Sequence, residues 1–192
     1  PYGQATTETE CWNGSAWSQL GSTIYGPSAE AGAAVGTSVD INDEGDKIVF
    51  GAYAYDGGST NKGIAWVYSW NGSAWVIQDN SNSDLIGGSS RDSYGWRVSF
   101  DSDGDRLAIS GYGGSNSPGI VGMYEWDGSS WSIMGSTLTG SASYDRLGYG
   151  ISLDADGDQV AIGIRGEDGS AGDGSGAVSI SVSYTHLRAH ET

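Results

Sequence analysis

The sequence predicts an all-β protein, and two observations carry that prediction. The 192 residues include 33 glycines, 8 tryptophans and 11 tyrosines. Glycine suits tight turns, and aromatic side chains suit the pleated faces of strands. In addition, one pattern occurs three times, at residues 39–51, 98–110 and 151–163. Each copy reads as a short apolar strand, a tight acidic turn and a second apolar strand.

A tryptophan hairpin forms a second repeat in phase with the first. The segments Trp12–Trp17, Trp70–Trp75 and Trp126–Trp131 each enclose an Asn-Gly or Asp-Gly pair, which favours a tight turn. They recur at intervals of about 57 residues, a period typical of propellers and solenoids. We expect each tryptophan pair on one face of its hairpin, stacked across the strands or packed between sheets. A surface that stacks on carbohydrate is the functional alternative.

Each unit contains about four predicted strands joined by short connections. In the first unit, the strand that begins at Val39 is followed by predicted strands at 47–52, 63–70 and 75–78. Four-stranded antiparallel sheets repeated around an axis are the blades of a β-propeller. We therefore expect a partial β-propeller of about three four-stranded antiparallel blades in an open arc. The repeat units span about residues 18–75, 76–131 and 132–181, and the third unit lacks its outer strands.

Charge and cysteine content exclude several classes of partner. The formal net charge of −16 disfavours binding to nucleic acid and to anionic membrane surfaces. Cys11 is the one cysteine in the sequence, so no internal disulfide can form, and we interpret it as a structural side chain. No run of about 20 apolar residues is present, so no membrane span is predicted.

Both ends of the chain are predicted to be unrelated to the fold. Residues 1–10 read as the ragged start of a truncated chain, and residues 11–181 as the propeller blades. Residues 182–192 resemble a translated sequencing-library adapter, and we expect this tail to be non-native and to add nothing to the core. Both histidines, His186 and His190, lie within it.

The repeat units resemble FG-GAP repeats, the propeller blades of integrin alpha-subunit heads and of many microbial surface proteins. The resemblance rests on the apolar-glycine pairs that end at Gly36, Gly95 and Gly148, and on the strand ends 50–52, 109–111 and 162–164. It covers about residues 11–180 and is strongest to a variant found in secreted proteins of marine microbes and algae. The resemblance implies an extracellular protein that binds ligands or mediates adhesion and has no catalytic activity.

The resemblance also implies calcium as a candidate cofactor, because FG-GAP blades often hold this ion in an acidic loop. The residues at the first three ligand positions of that loop are Asn42, Glu44 and Asp46, then Asp101, Asp103 and Asp105, then Asp154, Asp156 and Asp158. The final carboxylate of the family's loop is missing, since Phe50, Ile109 and Ile162 stand in its place. Calcium takes six to eight oxygen ligands, so we expect at most weak binding. A plain acidic hairpin without a metal is the alternative, because Asp and Gly also suit tight turns.

The function predicted from the sequence is that of a non-catalytic propeller within a larger secreted or cell-surface protein. Its ligand would be a protein or a carbohydrate at a cell surface. The alternative is the propeller part of a carbohydrate-active hydrolase or lyase, which would need two carboxylates flanking a cleft. The acidic residues recur in every unit, and no pair that breaks the repeat is visible. Uncovered blade faces at the ends of an open arc predict that the isolated chain self-associates.

Overall fold

The computed structural model describes residues 15–25, 31–78, 85–114, 116–169 and 172–183. Cys11, Trp12, the two histidines and the tail from residue 184 onward lie outside the described residues. Within these ranges the chain is all-β, and no helix that could cross a membrane occurs there. The strands are β1 Val39–Ile41, β2 Lys47–Ala52, β3 Ile64–Trp70, β4 Trp75–Ile77, β5 Tyr94–Phe100, β6 Arg106–Gly111, β7 Ile120–Trp126, β8 Trp131–Ile133, β9 Leu138–Thr139, β10 Leu147–Leu153, β11 Gln159–Ile164 and β12 Ala177–Val182.

The strands form three antiparallel sheets with four, five and three members. The first sheet has the order β1-β2-β3-β4, the second β5-β6-β7-β8, and the third β10-β11-β12. The second sheet gains a fifth strand because β8 and β9 pair with different parts of β7. The all-β prediction is confirmed, and the uniform four-stranded plan holds only for the first sheet. The third sheet ends at Val182, one residue beyond the predicted boundary of its repeat unit.

Alternation of apolar side chains places two cores between consecutive sheets. Between the first and second sheets, Val49 and Val67 pack with Val98, Phe100 and neighbouring residues of the second sheet. Between the second and third sheets, the buried residues are Ala108, Val121, Leu147, Leu153, Val160 and Ile162. The second sheet is therefore buried on both faces, which explains why its second strand, β6, is apolar at nearly every position.

The apolar-glycine pairs set how closely consecutive sheets approach each other. Gly95 has a φ of +81°, and a Cβ atom placed there would lie 2.3 Å from the carbonyl oxygen of Ile64 in the first sheet. A larger residue would meet both the backbone strain and this clash. Gly36 has the same φ, yet a Cβ atom there would meet nothing within 4 Å, because no preceding sheet faces it in the described structure.

Candidate functional site

The first residue of each acidic turn acts as an internal cap. The Oδ1 atom of Asp101 accepts hydrogen bonds from the backbone N–H groups of Asp105 and Arg106, at 3.1 and 3.2 Å. Asn42 and Asp154 accept the equivalent pairs of bonds in the other two turns. The position needs only an acceptor oxygen, so an asparagine amide serves as well as a carboxylate. The repeated acid at this position therefore has a conformational role.

The three acidic turns are joined across the sheets by a series of hydrogen bonds, called here the turn ladder. The backbone N–H of Asp43 donates to the carbonyl of Ser102, and the N–H of Ser102 donates to the carbonyl of Ala155. The first residue of the second strand adds a side-chain rung. Lys47 Nζ donates to the carbonyl of Asp103 at 2.8 Å, and Arg106 donates to that of Asp156 at 2.9 Å. Each turn thus anchors the turn of the next sheet.

The predicted calcium ligands do not converge in this arrangement. Within the described residues, no three Asp, Glu, Cys or His side chains are grouped so that they could hold a metal ion. Asp101 is buried with one oxygen used by the backbone, whereas Asp103, Asp105 and Asp156 are exposed. Calcium needs six to eight oxygens, and this donor set does not fit that requirement. Weak binding at the turns remains a prediction that requires titration.

Burial changes the acidity of the turn in the second sheet. Removal of the Asp101 carboxyl from water raises its pKa from 3.8 to about 6, and the nearby Asp105 carboxylate adds to the increase. The two backbone N–H groups partly oppose this rise. In the first sheet, the buried residue at the same position is the neutral Asn42, and its amide donates to the carboxylate of Asp46 at 2.9 Å.

The two fully described tryptophan hairpins are confirmed as cross-strand pairs. Trp70 lies opposite Trp75 with ring centroids 5.4 Å apart, and Trp126 lies opposite Trp131 at 5.6 Å. The loop side chain Asp127 accepts hydrogen bonds from the N–H groups of residues 129 and 130 and from the Ser129 hydroxyl. These bonds, led by the Ser129 hydroxyl, lower the pKa of Asp127 to about 2. The hairpins therefore act as structural elements that pack against the sheets.

A cluster of four aromatic rings, which the sequence analysis did not identify, brings together residues from all three sheets. Its rings are Tyr53, Trp96, Tyr112 and Tyr149, which we call the aromatic platform. Trp96 is its centre, with ring centroids 5.3 Å from Tyr53, 4.5 Å from Tyr112 and 5.7 Å from Tyr149. All four side chains are half-buried. Rings contributed by consecutive sheets thus form one continuous surface.

Backbone irregularities aim the central rings into this surface. Trp96 and Tyr149 lie where the register of β5 and β10 shifts against their partner strands. A bulge of this kind re-aims a side chain and often lies near a functional site. Tyr53 and Tyr112 follow directly after the ends of β2 and β6, beside the bulges. Aligning the three units would have revealed both positions, because Trp96 and Tyr149 each follow the glycine of an apolar-glycine pair.

Two arginines border the aromatic platform. The Arg97 guanidinium lies 4.6 Å from the centroid of the Trp96 ring, and that of Arg165 lies 5.0 Å from the Tyr149 centroid. Among the described residues the one ion pair joins Arg106 to Glu125, so neither platform arginine is neutralised by a carboxylate there. Arg165 also lines an open depression of about 450 Å³ with Tyr144, Arg146, Asp168 and Asp173. The platform therefore offers aromatic rings and positive charge in a strongly acidic chain.

Comparison with known proteins yields a distant structural likeness. No family model matches the sequence, and no curated protein matches it. Among solved structures, the crystal structure of TolB from Acinetobacter baumannii aligns with a TM-score of 0.37 at 15% sequence identity. The alignment covers 79% of this chain and 32% of that chain, so this chain spans about a third of its length. At this identity and TM-score the match assigns no function to the chain.

Proposed function

We propose that this chain is a non-catalytic binding module of a secreted or cell-surface protein, and that its three sheets are blades of a partial β-propeller. The up-and-down order of each sheet and the burial of the second sheet on both faces support the propeller interpretation. The resemblance to FG-GAP repeats supports the extracellular location and the role in ligand binding or adhesion.

One observation carries the proposed binding role, namely the aromatic platform with its two arginines. Aromatic faces stack against the apolar faces of sugar rings, and guanidinium groups bind carboxylates through paired donors. Arg97 and Arg165 lie over platform rings, and neither has a carboxylate partner among the described residues. The ligand that fits both features is an acidic carbohydrate, such as a chain of uronic acids.

The distribution of charge would direct an acidic glycan to the platform and away from the rest of the surface. The chain carries 24 acidic and 8 basic residues, so an acidic glycan is repelled by most of its surface. The two arginines provide the local exception beside the rings. Binding should therefore weaken as salt rises, while the ring contacts keep part of the affinity.

The test compares binding to oligogalacturonate and to a neutral glucan oligomer by isothermal titration calorimetry. We expect the chain to bind the uronate and to bind the glucan at least tenfold more weakly. Trp96→Ala and Arg97→Gln should each weaken uronate binding at least tenfold. Trp75→Ala is the matched control, because Trp75 is a half-buried hairpin tryptophan outside the platform. Equal loss of binding in Trp75→Ala and Trp96→Ala would contradict the assignment of the platform.

A further inference from the structure

The turn that joins β3 to β4 surrounds the side-chain oxygen of Asn71 with three hydrogen-bond donors. Its Oδ1 atom accepts from the Ser73 N–H at 3.0 Å, from the Ser73 hydroxyl at 2.9 Å and from the Ala74 N–H at 2.9 Å. Asn71 and Gly72 are both exposed to solvent. Among the described residues, neither Nδ2 of Asn71 nor the N–H of Gly72 has an acceptor. The three donors therefore polarise the side-chain carbonyl and leave its nitrogen open to water.

The equivalent turn of the second sheet holds a carboxylate in the same set of donors. Asp127 Oδ1 accepts the three corresponding bonds, each at 2.8 Å. Bonds to the charged form, led by the one from the Ser129 hydroxyl, lower the pKa of Asp127 to about 2. The flanking tryptophan pairs have nearly the same separation in both hairpins, 5.4 and 5.6 Å. The turn thus accommodates an amide or a carboxylate, and an aspartate at position 71 would gain charge-assisted bonds.

Gly72 supplies the nucleophile that can convert the amide into the acid. Asparagine followed by glycine is the dipeptide most prone to deamidation, because no side chain hinders the attack of the glycine nitrogen. Gly72 has a φ of +94°, and the space where a Cβ atom would lie contains nothing within 4 Å. Donors that already point at Oδ1 stabilise the negative charge that develops there during the attack. The turn therefore combines an unhindered nucleophile with a polarised carbonyl.

We infer that Asn71 is a site of spontaneous deamidation in the folded protein, and that the turn retains the aspartate that forms. A base removes the proton of the Gly72 N–H, and this nitrogen bonds to Cγ of Asn71, which places negative charge on Oδ1. The Cγ–Nδ2 bond then breaks, and Nδ2 takes up a proton and leaves as ammonia. Water adds to Cγ of the resulting succinimide, the bond to the Gly72 nitrogen breaks, and that nitrogen regains its proton. One water is consumed and one ammonia is released.

The fold should also influence which acid forms. Attack of water on the other carbonyl of the succinimide gives isoaspartate, which lengthens the backbone of the turn by one carbon atom. That backbone is fixed by the bond from the Asn71 N–H to the Ala74 carbonyl, at 3.1 Å, and by the pairing of Trp70 with Trp75. We therefore expect a larger share of aspartate from the folded chain than from the chain unfolded in urea.

The first test is incubation of the full chain at pH 8 and 37 °C, with peptide mapping by mass spectrometry over several days. Asn71 should lose its amide. Asn42 is the internal control and should remain intact, because it is buried and precedes Asp43. Mapping separates Asn71 from Asn13, the other asparagine that precedes a glycine. Conversion of Asn71 in urea, with none in the folded chain, would overturn the inference.

The second test asks whether the donors of the turn promote the reaction. Ser73→Ala removes the hydroxyl donor and should slow conversion of Asn71 at least threefold, a smaller effect than in a buried enzyme site. Ser132→Ala is the control, since Ser132 is an exposed serine outside the turn, and the rate should not change. An equal or faster rate in Ser73→Ala would show that these bonds restrain the amide, and the inference would be wrong.

The third test moves the chemistry to the other hairpin. Asp127→Asn places an asparagine before Gly128 in the corresponding set of donors. This variant should regain the wild-type mass at position 127, at a rate within about threefold of that at Asn71. Circular dichroism checks that the variant is folded. A stable amide at position 127 in the folded variant would contradict the role assigned to the turn.

Discussion

At the scale of single residues, Asp101 and Asn42 show two ways to fill the same position. Both side chains are buried, and both accept two backbone N–H groups through Oδ1. The amide of Asn42 also donates to a neighbouring carboxylate, whereas an ionised Asp101 faces the Asp105 carboxylate with no proton to offer. In the first sheet, a neutral amide donor therefore lies where the second sheet has the buried carboxyl group of Asp101.

This difference predicts that Asp101→Asn stabilises the protein at pH 8 but not at pH 4. The folded state raises the pKa of Asp101 from 3.8 to about 6, so its favourable contribution is complete below pH 3.8 and is lost as the pH rises through 6. The amide keeps both accepted bonds and carries no charge. We expect a gain on the order of 2 kcal/mol in the free energy of unfolding at pH 8.

Urea unfolding of both proteins at pH 4 and pH 8 measures this effect. Asp154→Asn is the control, because Asp154 accepts the same two bonds but is only half-buried, and its gain should be smaller. An equal gain from Asp101→Asn at both pH values would show that the change acts through packing and not through protonation.

At the scale of elements, the turn ladder joins one sheet to the next through backbone and side-chain hydrogen bonds. We expect Arg106→Met to lower the free energy of unfolding by about 1 kcal/mol, because it removes the 2.9 Å bond to the carbonyl of Asp156 and keeps an apolar stem. The surface pair with Glu125, at 3.4 Å, should add little to this loss.

The third sheet provides the matched control for the ladder. Gln159 holds the same place at the start of its strand, but no following sheet lies opposite it in the described structure. Gln159→Met should therefore change the unfolding free energy by less than about 0.5 kcal/mol. Thermal or urea unfolding would measure both variants. A similar loss in both would assign the effect to the strand itself and not to the contact between sheets.

The elements themselves could be predicted well from the sequence, and the site could not. The predicted strand at 47–52 matches β2 at both ends, and the tryptophan pairs face each other as expected, because both features depend on local alternation and turn residues. The aromatic platform depends on contacts between residues more than 35 positions apart and on register shifts in β5 and β10. Aligning the units marks Trp96 and Tyr149, but a single sequence does not show the register shifts that bring their rings together with Tyr53 and Tyr112.

At the scale of the whole molecule, the chain has a formal net charge of −16, and its three acidic turns lie side by side. Mutual repulsion between like charges opposes compactness, and salt screens it. The turn ladder offsets part of that repulsion, because Lys47 and Arg106 place positive charge between consecutive turns. Any specific effect of calcium must therefore be separated from simple screening.

The expected response to calcium is small, and its size can be calculated in advance. A site with a millimolar dissociation constant adds only about 0.4 kcal/mol at 1 mM calcium, whereas a micromolar site adds about 4 kcal/mol. For a chain of this length these gains correspond to about 1–2 °C and about 8–16 °C in Tm. We predict the smaller shift, since no three carboxylates converge within the described residues.

The measurement compares 1 mM CaCl2 with 3 mM NaCl, both added to 150 mM NaCl, so that ionic strength is matched. A rise above 8 °C that Asp103→Ala abolishes would instead establish a tight calcium site at the turn of the second sheet.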